Sequence, residues 1–261
     1  MKIVAAILIA VVPGFVCGED HNDLILKTIQ AMPSGGVYAK YRKELPEANR
    51  FDDLYQTVAD LDKAIQPGLG GKLRVDPDKA KSHSFCSSAT YLLFAEVIEQ
   101  LQSKGKAPKN AKLSRELAAV GDKTEVIHGK LDGVGIFGHW NADGPGTAVL
   151  FERLNLGPNF SDYANAKPGD FMKIWWNENI GKGERGHLVV YLGETNGGDA
   201  VRVWSSQTQN DDGSAGYGEM AVEKSRIKRV VFSRLENPAN LEKWLALTDS
   251  EKTSDYLVRI R

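Results

Sequence analysis

The sequence predicts an α+β fold in which helices come first and an antiparallel sheet follows. Apolar residues recur at helical spacing in the first part of the chain, and a long apolar stretch follows Cys86. After residue 170, β-branched residues and a period of two become dominant. The chain has 261 residues, of which 42% are hydrophobic, so it is long and apolar enough to form a core. This length suits one domain with additions or two small domains.

Residues 1–18 have the features of a secretory signal peptide. A basic start is followed by an apolar run from Ile3 to Val16 and by Cys17-Gly18, ahead of acidic residues. The run is shorter than the roughly 18 to 20 apolar residues that cross a membrane. We therefore expect cleavage after Gly18 and a secreted or periplasmic protein without a membrane span. Lipoprotein processing at Cys17 is the less favoured alternative, because bulky Phe15-Val16 precedes it.

Residues 19–80 are predicted to form a helical N-terminal extension. Leu24 to Met32 has helical spacing, and Phe51 to Ile65 forms an amphipathic stripe that glycines and a proline then end. The next predicted helix, Phe85 to Leu101, is apolar on most sides. A helix of this kind is normally buried in a larger fold.

Residues 81–261 are predicted to form one domain around this buried helix. The glycine-rich segment 133–146 is interpreted as a loop, and Thr147 to Leu154 as a short helix. A hairpin turn is predicted between the second and third strands, and a closing helix at Pro238 to Leu247. The predicted strands are Phe171 to Trp175, His187 to Leu192, Ala200 to Ser205 and Ile227 to Arg234.

Charge and motif content argue against several classes of function. The formal net charge of −1 gives no electrostatic reason to expect nucleic acid or an anionic membrane as a partner. The sequence contains no phosphate-binding loop and no dinucleotide fingerprint. His139 and Asp143 are four residues apart, but no other ligand residues cluster beside them, so we expect no metal and no cofactor.

Cys86 is the one cysteine that would remain after removal of the leader. An unpaired thiol in an oxidising compartment is exposed to damage, which suggests that it has a role. At the start of a buried helix the thiol pKa is lowered, and free N–H groups are available to an oxyanion. The polar neighbours Ser84, Ser87 and Ser88 favour a nucleophile over the alternative of a buried, inert cysteine.

His187 is the best candidate for the general base, because it opens a predicted strand and can face the start of a helix packed on the same sheet. The following strand returns beside it, and side chains at alternate positions share a face. Gln207 therefore ranks first as the residue that orients the imidazole, followed by Ser205 and then Asn210. For each of these three, a merely polar strand end is the alternative.

Three motifs together resemble the NlpC-like and CHAP-type cell-wall cysteine peptidases and amidases. They are Phe85-Cys86-Ser87-Ser88, the turn Ala166-Lys167-Pro168-Gly169-Asp170-Phe171, and the strand Gly186-His187-Leu188-Val189-Val190-Tyr191-Leu192-Gly193. Cysteine precedes histidine, as in the unpermuted peptidases. The chain departs from the family where Phe85 replaces a common Asp and where Ser87-Ser88 replaces Ser-Gly.

The resemblance implies a papain-like fold and a secreted cysteine hydrolase that cleaves an amide bond in peptidoglycan stem peptides. Cys86 would be the nucleophile and His187 the general base and then acid, with a polar third residue. The candidate substrate contacts are Trp140, His139, His83 and Ser87. Two alternatives remain open, a non-catalytic domain that binds cell wall or another ligand, and an acyl-transfer enzyme with the same dyad.

Overall fold

The computed structural model describes residues 20–118, 124–127, 130–133, 135–181 and 183–252. Its fold is mixed α+β, with helices and a six-stranded antiparallel sheet. The predicted signal peptide and the alternative lipoprotein site lie outside the described residues. Within the described ranges, no helix combines the length and apolar character that crossing a membrane requires.

The N-terminal part combines helices with short strands. The predicted helices correspond to α1 and α2, whereas the strands between them were not predicted, because segments of two or three residues have no recognisable periodicity. Strand β1 pairs in parallel with β4, and β2 pairs with β3 in antiparallel fashion. The elements are α1 (Asn22–Ile29), β1 (Val37–Tyr38), α2 (Asp52–Ala64), β2 (Ile65–Pro67), β3 (Leu73–Val75) and β4 (His83–Ser84).

Helix α3 (Cys86–Ser103) is the centre of the molecule and confirms the predicted buried helix. The hydrophobic core around it includes Ile25 and Leu61 from the N-terminal helices and Val190 and Trp204 from the sheet. The N-terminal extension and the sheet therefore bury apolar surface against the same helix.

The glycine-rich segment after residue 133 was wrongly predicted to be a loop, because it contains helix α5 (Gly135–Asn141). Ile136, Phe137 and Trp140 on this helix are almost completely buried. Their burial outweighs the roughly 1 kcal/mol that a glycine costs inside a helix. The described elements of this region are α4 (Ala111–Leu117), β5 (Thr124–Ile127), β6 (Lys130–Gly133), α5 and α6 (Thr147–Leu154), of which α6 is as predicted.

The sheet has the order β11-β10-β9-β8-β12-β7. All four predicted strands are present, but two strands of the sheet were not predicted. Strand β7 has only two residues, and glycine and polar residues give β11 a weak strand signal. The closing helix is present as a 3-10 helix, Pro238–Ala246, followed by α7 (Asp249–Lys252). The strands are β7 (Asn159–Phe160), β8 (Phe171–Trp175), β9 (Gly186–Thr195), β10 (Ala200–Gln207), β11 (Gly216–Glu223) and β12 (Arg229–Ser233).

The turn before β8 is held by the buried carboxylate of Asp170. This carboxylate accepts hydrogen bonds from Arg234 Nε at 2.9 Å and Nη2 at 2.7 Å, from Asn22 Nδ2 at 2.8 Å and from the Lys167 N–H at 2.8 Å. Gly169 has a φ of 97°, and a Cβ at this position would lie 2.8 Å from Asn22. The Pro-Gly-Asp motif therefore has a structural role, because it joins α1 to the ends of β8 and β12.

Candidate active site

Cys86 is the first residue of α3, as the sequence predicts. The preceding Phe85 is extended, with φ −121° and ψ 170°, and the Ser88 hydroxyl closes the helix start. This hydroxyl accepts a hydrogen bond from the Phe85 N–H at 2.9 Å and donates one to the Phe85 carbonyl at 2.8 Å. The first N–H groups of a helix have no acceptor inside it, so they are available beside the thiol.

Two side-chain groups and one backbone group act on the thiol. Burial raises the pKa of Cys86, but a hydrogen bond from His187, the charge of that imidazole, the Leu188 N–H and the positive charge of Lys173 outweigh it. Together they lower the pKa from the usual 9.0 to about 7. The structure thus brings together Cys86 and His187, and the lowered pKa favours the thiolate near neutral pH.

Tyr38 is a site residue that sequence reasoning missed. The negative charge of the neighbouring Cys86 thiolate, burial and an interaction of the Tyr38 hydroxyl with that sulfur raise the pKa of Tyr38. Tyr38 lies opposite Ser84 in the parallel pair of β1 and β4, which places it beside the start of α3. Because this pairing joins segments far apart in the chain, no local pattern marked Tyr38.

A buried ion pair supports the strand that carries His187. Lys173 Nζ lies 2.9 Å from Glu184 Oε1, and the two side chains are 12% and 2% exposed. Glu184 Oε2 also accepts hydrogen bonds from the Gly144 N–H at 2.6 Å, the Gly181 N–H at 2.9 Å and Trp175 Nε1 at 3.1 Å. Burial raises the pKa of Glu184, but the charge and hydrogen bond of Lys173 and the two N–H groups lower it overall, so the carboxylate stays ionised.

The position of Lys173 explains how its charge lowers the pKa of the Cys86 thiol. Lys173 lies opposite Leu188 in the register of β8 and β9, and the Leu188 N–H is one of the groups that lower the pKa of Cys86. A Cβ on Gly186 would lie 3.1 Å from both Lys173 Nζ and Glu184 Oε1. The ion pair therefore packs against the residue before His187, and the absence of a side chain at Gly186 makes this approach possible.

Ser205 holds the helix start against the sheet. Its buried hydroxyl lies 2.7 Å from the Leu188 carbonyl oxygen and 3.3 Å from the Cys86 carbonyl oxygen. These backbone contacts occupy the hydroxyl, so the predicted role of Ser205 as an alternative partner of the imidazole is not observed. Ser205 instead fixes the distance between Cys86 and the strand of His187.

Gln207 is the last residue of β10. The pairing of β10 with β9 ends at Trp204 and Val190, and Gln207 lies three residues beyond this last pair. Gln207 Nε2 donates to the Gly218 carbonyl at 3.2 Å, while the buried Oε1 has no hydrogen-bond partner among the described residues. The predicted hydrogen bond from the imidazole to Gln207 is therefore not formed in this structure, although an acceptor is present.

Asn210, the third candidate for the orienting role, closes the turn after β10. Its Nδ2 donates to Ser214 Oγ at 3.0 Å and to the Gly216 carbonyl at 3.3 Å. The amide nitrogen is thus used within the turn, which gives Asn210 a structural role.

Two of the predicted substrate contacts are wrong because their side chains are inside the core. Trp140 is 1% exposed and His139 is 2% exposed. Trp140 Nε1 donates to Thr90 Oγ1 at 3.0 Å, and His139 Nδ1 lies 3.0 Å from the Gly135 carbonyl oxygen. A side chain buried to this degree supports the packing of α3 but does not line a cleft.

The other two predicted substrate contacts, Ser87 and His83, lie close to Cys86 in the chain. Ser87 is buried, and its hydroxyl donates to Asn141 Oδ1. His83 is half-buried in β4, its Nδ1 has no hydrogen-bond partner in the described residues, and it is not among the groups that shift the thiol pKa. In the described part of the chain, no group of three or more His, Cys, Asp or Glu side chains is placed to hold a metal ion.

Trp176 is a further neighbour of His187 that the sequence did not indicate. It follows β8, it is partly buried, and its ring centroid lies 6.4 Å from that of His187 with 30° between the planes. The Trp176 ring therefore flanks the imidazole.

Comparisons with protein-family models, with curated proteins and with solved structures find no match for this chain. The site is therefore characterised by its own geometry. That geometry is a thiol at a helix start, beside an imidazole and a phenol with which it interacts electrostatically, in an α+β fold.

Proposed function

We propose that the protein is a cysteine hydrolase that cleaves amide bonds, with Cys86 as nucleophile and His187 as general base and acid. The fold is proposed to be a papain-like variant of the α+β architecture, with α3 packed on the sheet. The observation that carries the proposal is the position of the His187 imidazole beside Cys86, where its interaction and charge lower the thiol pKa to about 7. A thiolate near neutral pH beside an imidazole is the usual arrangement for nucleophilic catalysis by cysteine.

In the first half of the reaction, the Cys86 thiolate attacks the amide carbonyl carbon. A bond forms between sulfur and carbon, and the carbonyl oxygen becomes an oxyanion. The free N–H groups at the start of α3 and the Tyr38 hydroxyl are donors beside this position. The His187 imidazolium then gives its proton to the leaving nitrogen, the C–N bond breaks, and a thioester remains on Cys86.

In the second half, neutral His187 takes a proton from water while the water oxygen attacks the thioester carbon. The C–S bond breaks, the carboxylic acid leaves, and Cys86 returns to the thiolate with His187 protonated. Gln207 is proposed to orient the imidazole, because its Oε1 is buried without a partner in the described residues and it ends the strand that pairs with the strand of His187.

Peptidoglycan stem peptide is the proposed substrate, on the basis of the three motifs that resemble the cell-wall peptidases. Digestion of purified peptidoglycan by the wild type and by Cys86→Ala, with mass analysis of the fragments, tests this. We expect the wild type to release peptide fragments and the variant to release none while keeping its circular dichroism spectrum. Equal release by both proteins would remove Cys86 from the mechanism.

The same digestion separates hydrolysis from acyl transfer. In the presence of an added amine, a hydrolase gives a free carboxylate product, whereas a transferase gives the amide of the added amine. A domain that only binds cell wall would give neither product.

A further inference from the structure

Arg226 is held close to the candidate active site by an aromatic ring. Its guanidinium carbon lies 5.9 Å from the centroid of the Trp176 ring, and the same ring lies 6.4 Å from that of His187. A guanidinium over an aromatic face is attracted by the ring, and its N–H groups remain available to other partners. The Trp176 ring is thus a neighbour of both the Arg226 guanidinium and the His187 imidazole.

The charge of Arg226 is not compensated within the described part of the chain. Lys224, two residues earlier, pairs with Glu194, and Arg229 pairs with Glu178 at 3.1 Å. The Arg226 side chain contacts the Trp176 ring, is exposed, and has neither an ion pair nor a hydrogen bond among the described residues. Arg226 is therefore an accessible cation whose hydrogen-bonding groups are unused.

We propose that Trp176 and Arg226 form a subsite for a carboxylate group of the substrate. The inference rests on the proposed function, because it places this carboxylate relative to an amide bound at Cys86. The guanidinium can donate two parallel hydrogen bonds to one carboxylate, and the Trp176 ring provides an apolar wall for the adjoining carbon chain.

The distances limit where the carboxylate lies in the substrate. The distance from the Arg226 guanidinium carbon to the centroid of the His187 ring is the sum of these two separations at most, about 12 Å. An extended peptide advances about 3.4 Å per residue. The carboxylate is therefore within about four residues of the part of the substrate that lies at His187. The subsite selects peptides with an acidic group close to the bond that is cut.

Binding of two matched peptides to the inactive Cys86→Ala protein tests the subsite. The probes are a stem tetrapeptide with a free α-carboxyl on its glutamyl residue and the same peptide with this carboxyl amidated. We expect calorimetry to show about 10-fold tighter binding of the carboxylate form. The added substitution Arg226→Gln should remove this preference, while Arg229→Gln, which removes an arginine already paired with Glu178, should leave it unchanged.

The outcomes distinguish the subsite from the proposed function. A preference that persists in the Arg226→Gln protein, or an equal loss of affinity for both peptides, would overturn the subsite. If neither peptide binds, the proposed substrate is wrong, and the subsite is tested by alkylation of Cys86 in the otherwise unaltered protein. At about 10 mM salt, Arg226→Gln should then lower the rate with anionic iodoacetate, relative to neutral iodoacetamide, about twofold. An unchanged ratio of the iodoacetate rate to the iodoacetamide rate would also overturn the proposed subsite.

Discussion

Replacement of His187 by alanine tests what activates the thiol. The difference between the usual pKa of 9.0 and the value of about 7 for Cys86 corresponds to about 3 kcal/mol in favour of the thiolate. In His187→Ala the burial that raises the thiol pKa remains. The two largest effects that lower this pKa, the interaction with the imidazole and its charge, are lost. We therefore expect a pKa at or above 9, so that the thiolate fraction at pH 7 falls from about half to about 1%.

The expected change in alkylation rate is smaller than the change in thiolate fraction. A thiolate of higher pKa is a better nucleophile, with a Brønsted coefficient of about 0.4 to 0.5. The rate constant of the remaining thiolate therefore rises by a factor of about 8, which offsets part of the loss. The rate of iodoacetamide labelling at pH 7 should thus fall about 5- to 10-fold. The midpoint of the pH–rate profile should move from near pH 7 to about pH 9 or above.

The assay is iodoacetamide labelling of the folded protein from about pH 5 to pH 10, followed by intact mass. His83→Ala is the matched control, because His83 lies in β4 just before Cys86 but is not among the groups that shift the thiol pKa. This control should keep a midpoint near pH 7, and circular dichroism should show that both variants are folded. A wild-type midpoint near pH 9, or an unchanged midpoint in His187→Ala, would refute the proposed activation.

Three further substitutions test other parts of the structure. Tyr38→Phe should keep the thiol reactive but lower kcat/KM about 100-fold if the hydroxyl binds the oxyanion, and steady-state hydrolysis measures this; an unchanged kcat/KM would exclude that role. Asp170→Ala leaves the buried Arg234 guanidinium without its partner, so the free energy of unfolding in urea should fall by about 3 to 5 kcal/mol; a loss below about 1 kcal/mol would contradict a structural role for the turn. The folded state lowers the pKa of Glu184 below its usual 4.5, so its stabilising effect is present above that value and is lost as the pH falls through the lower folded value. Urea unfolding between about pH 3 and pH 6 should therefore show a weaker acid dependence in Glu184→Gln than in the wild type, and equal acid dependence would contradict this assignment.

The parts of the fold that were predicted correctly are those with a strong local pattern. The buried helix after Cys86 and the strand that begins near His187 have clear periodicity, and both are present. The segment containing Trp140 was predicted wrongly because its glycines suggested a loop, whereas burial of its aromatic residues stabilises a helix. Periodicity reports a local preference for one secondary structure. The free energy gained by burying side chains in the tertiary structure outweighs this preference where it is larger.

The site was predictable where one residue in one motif carries the chemistry. Cys86 and His187 could be proposed because each stands at the start of an element that the pattern predicts. Tyr38 and the pair of Lys173 and Glu184 could not, because their positions depend on which strands pair. The hydrogen bond predicted for Gln207 required side-chain geometry that the alternation of a strand does not determine.

The most direct test of the central claim is a search for the acyl-enzyme on Cys86. Wild-type protein is mixed with stem peptide and quenched in acid within the first turnovers, and its intact mass is measured. We predict an added mass equal to the acyl part of the peptide, mapped to the proteolytic fragment that contains Cys86, and no adduct in Cys86→Ala. Hydrolysis by the wild type without an adduct, together with undiminished hydrolysis by Cys86→Ala, would contradict this prediction.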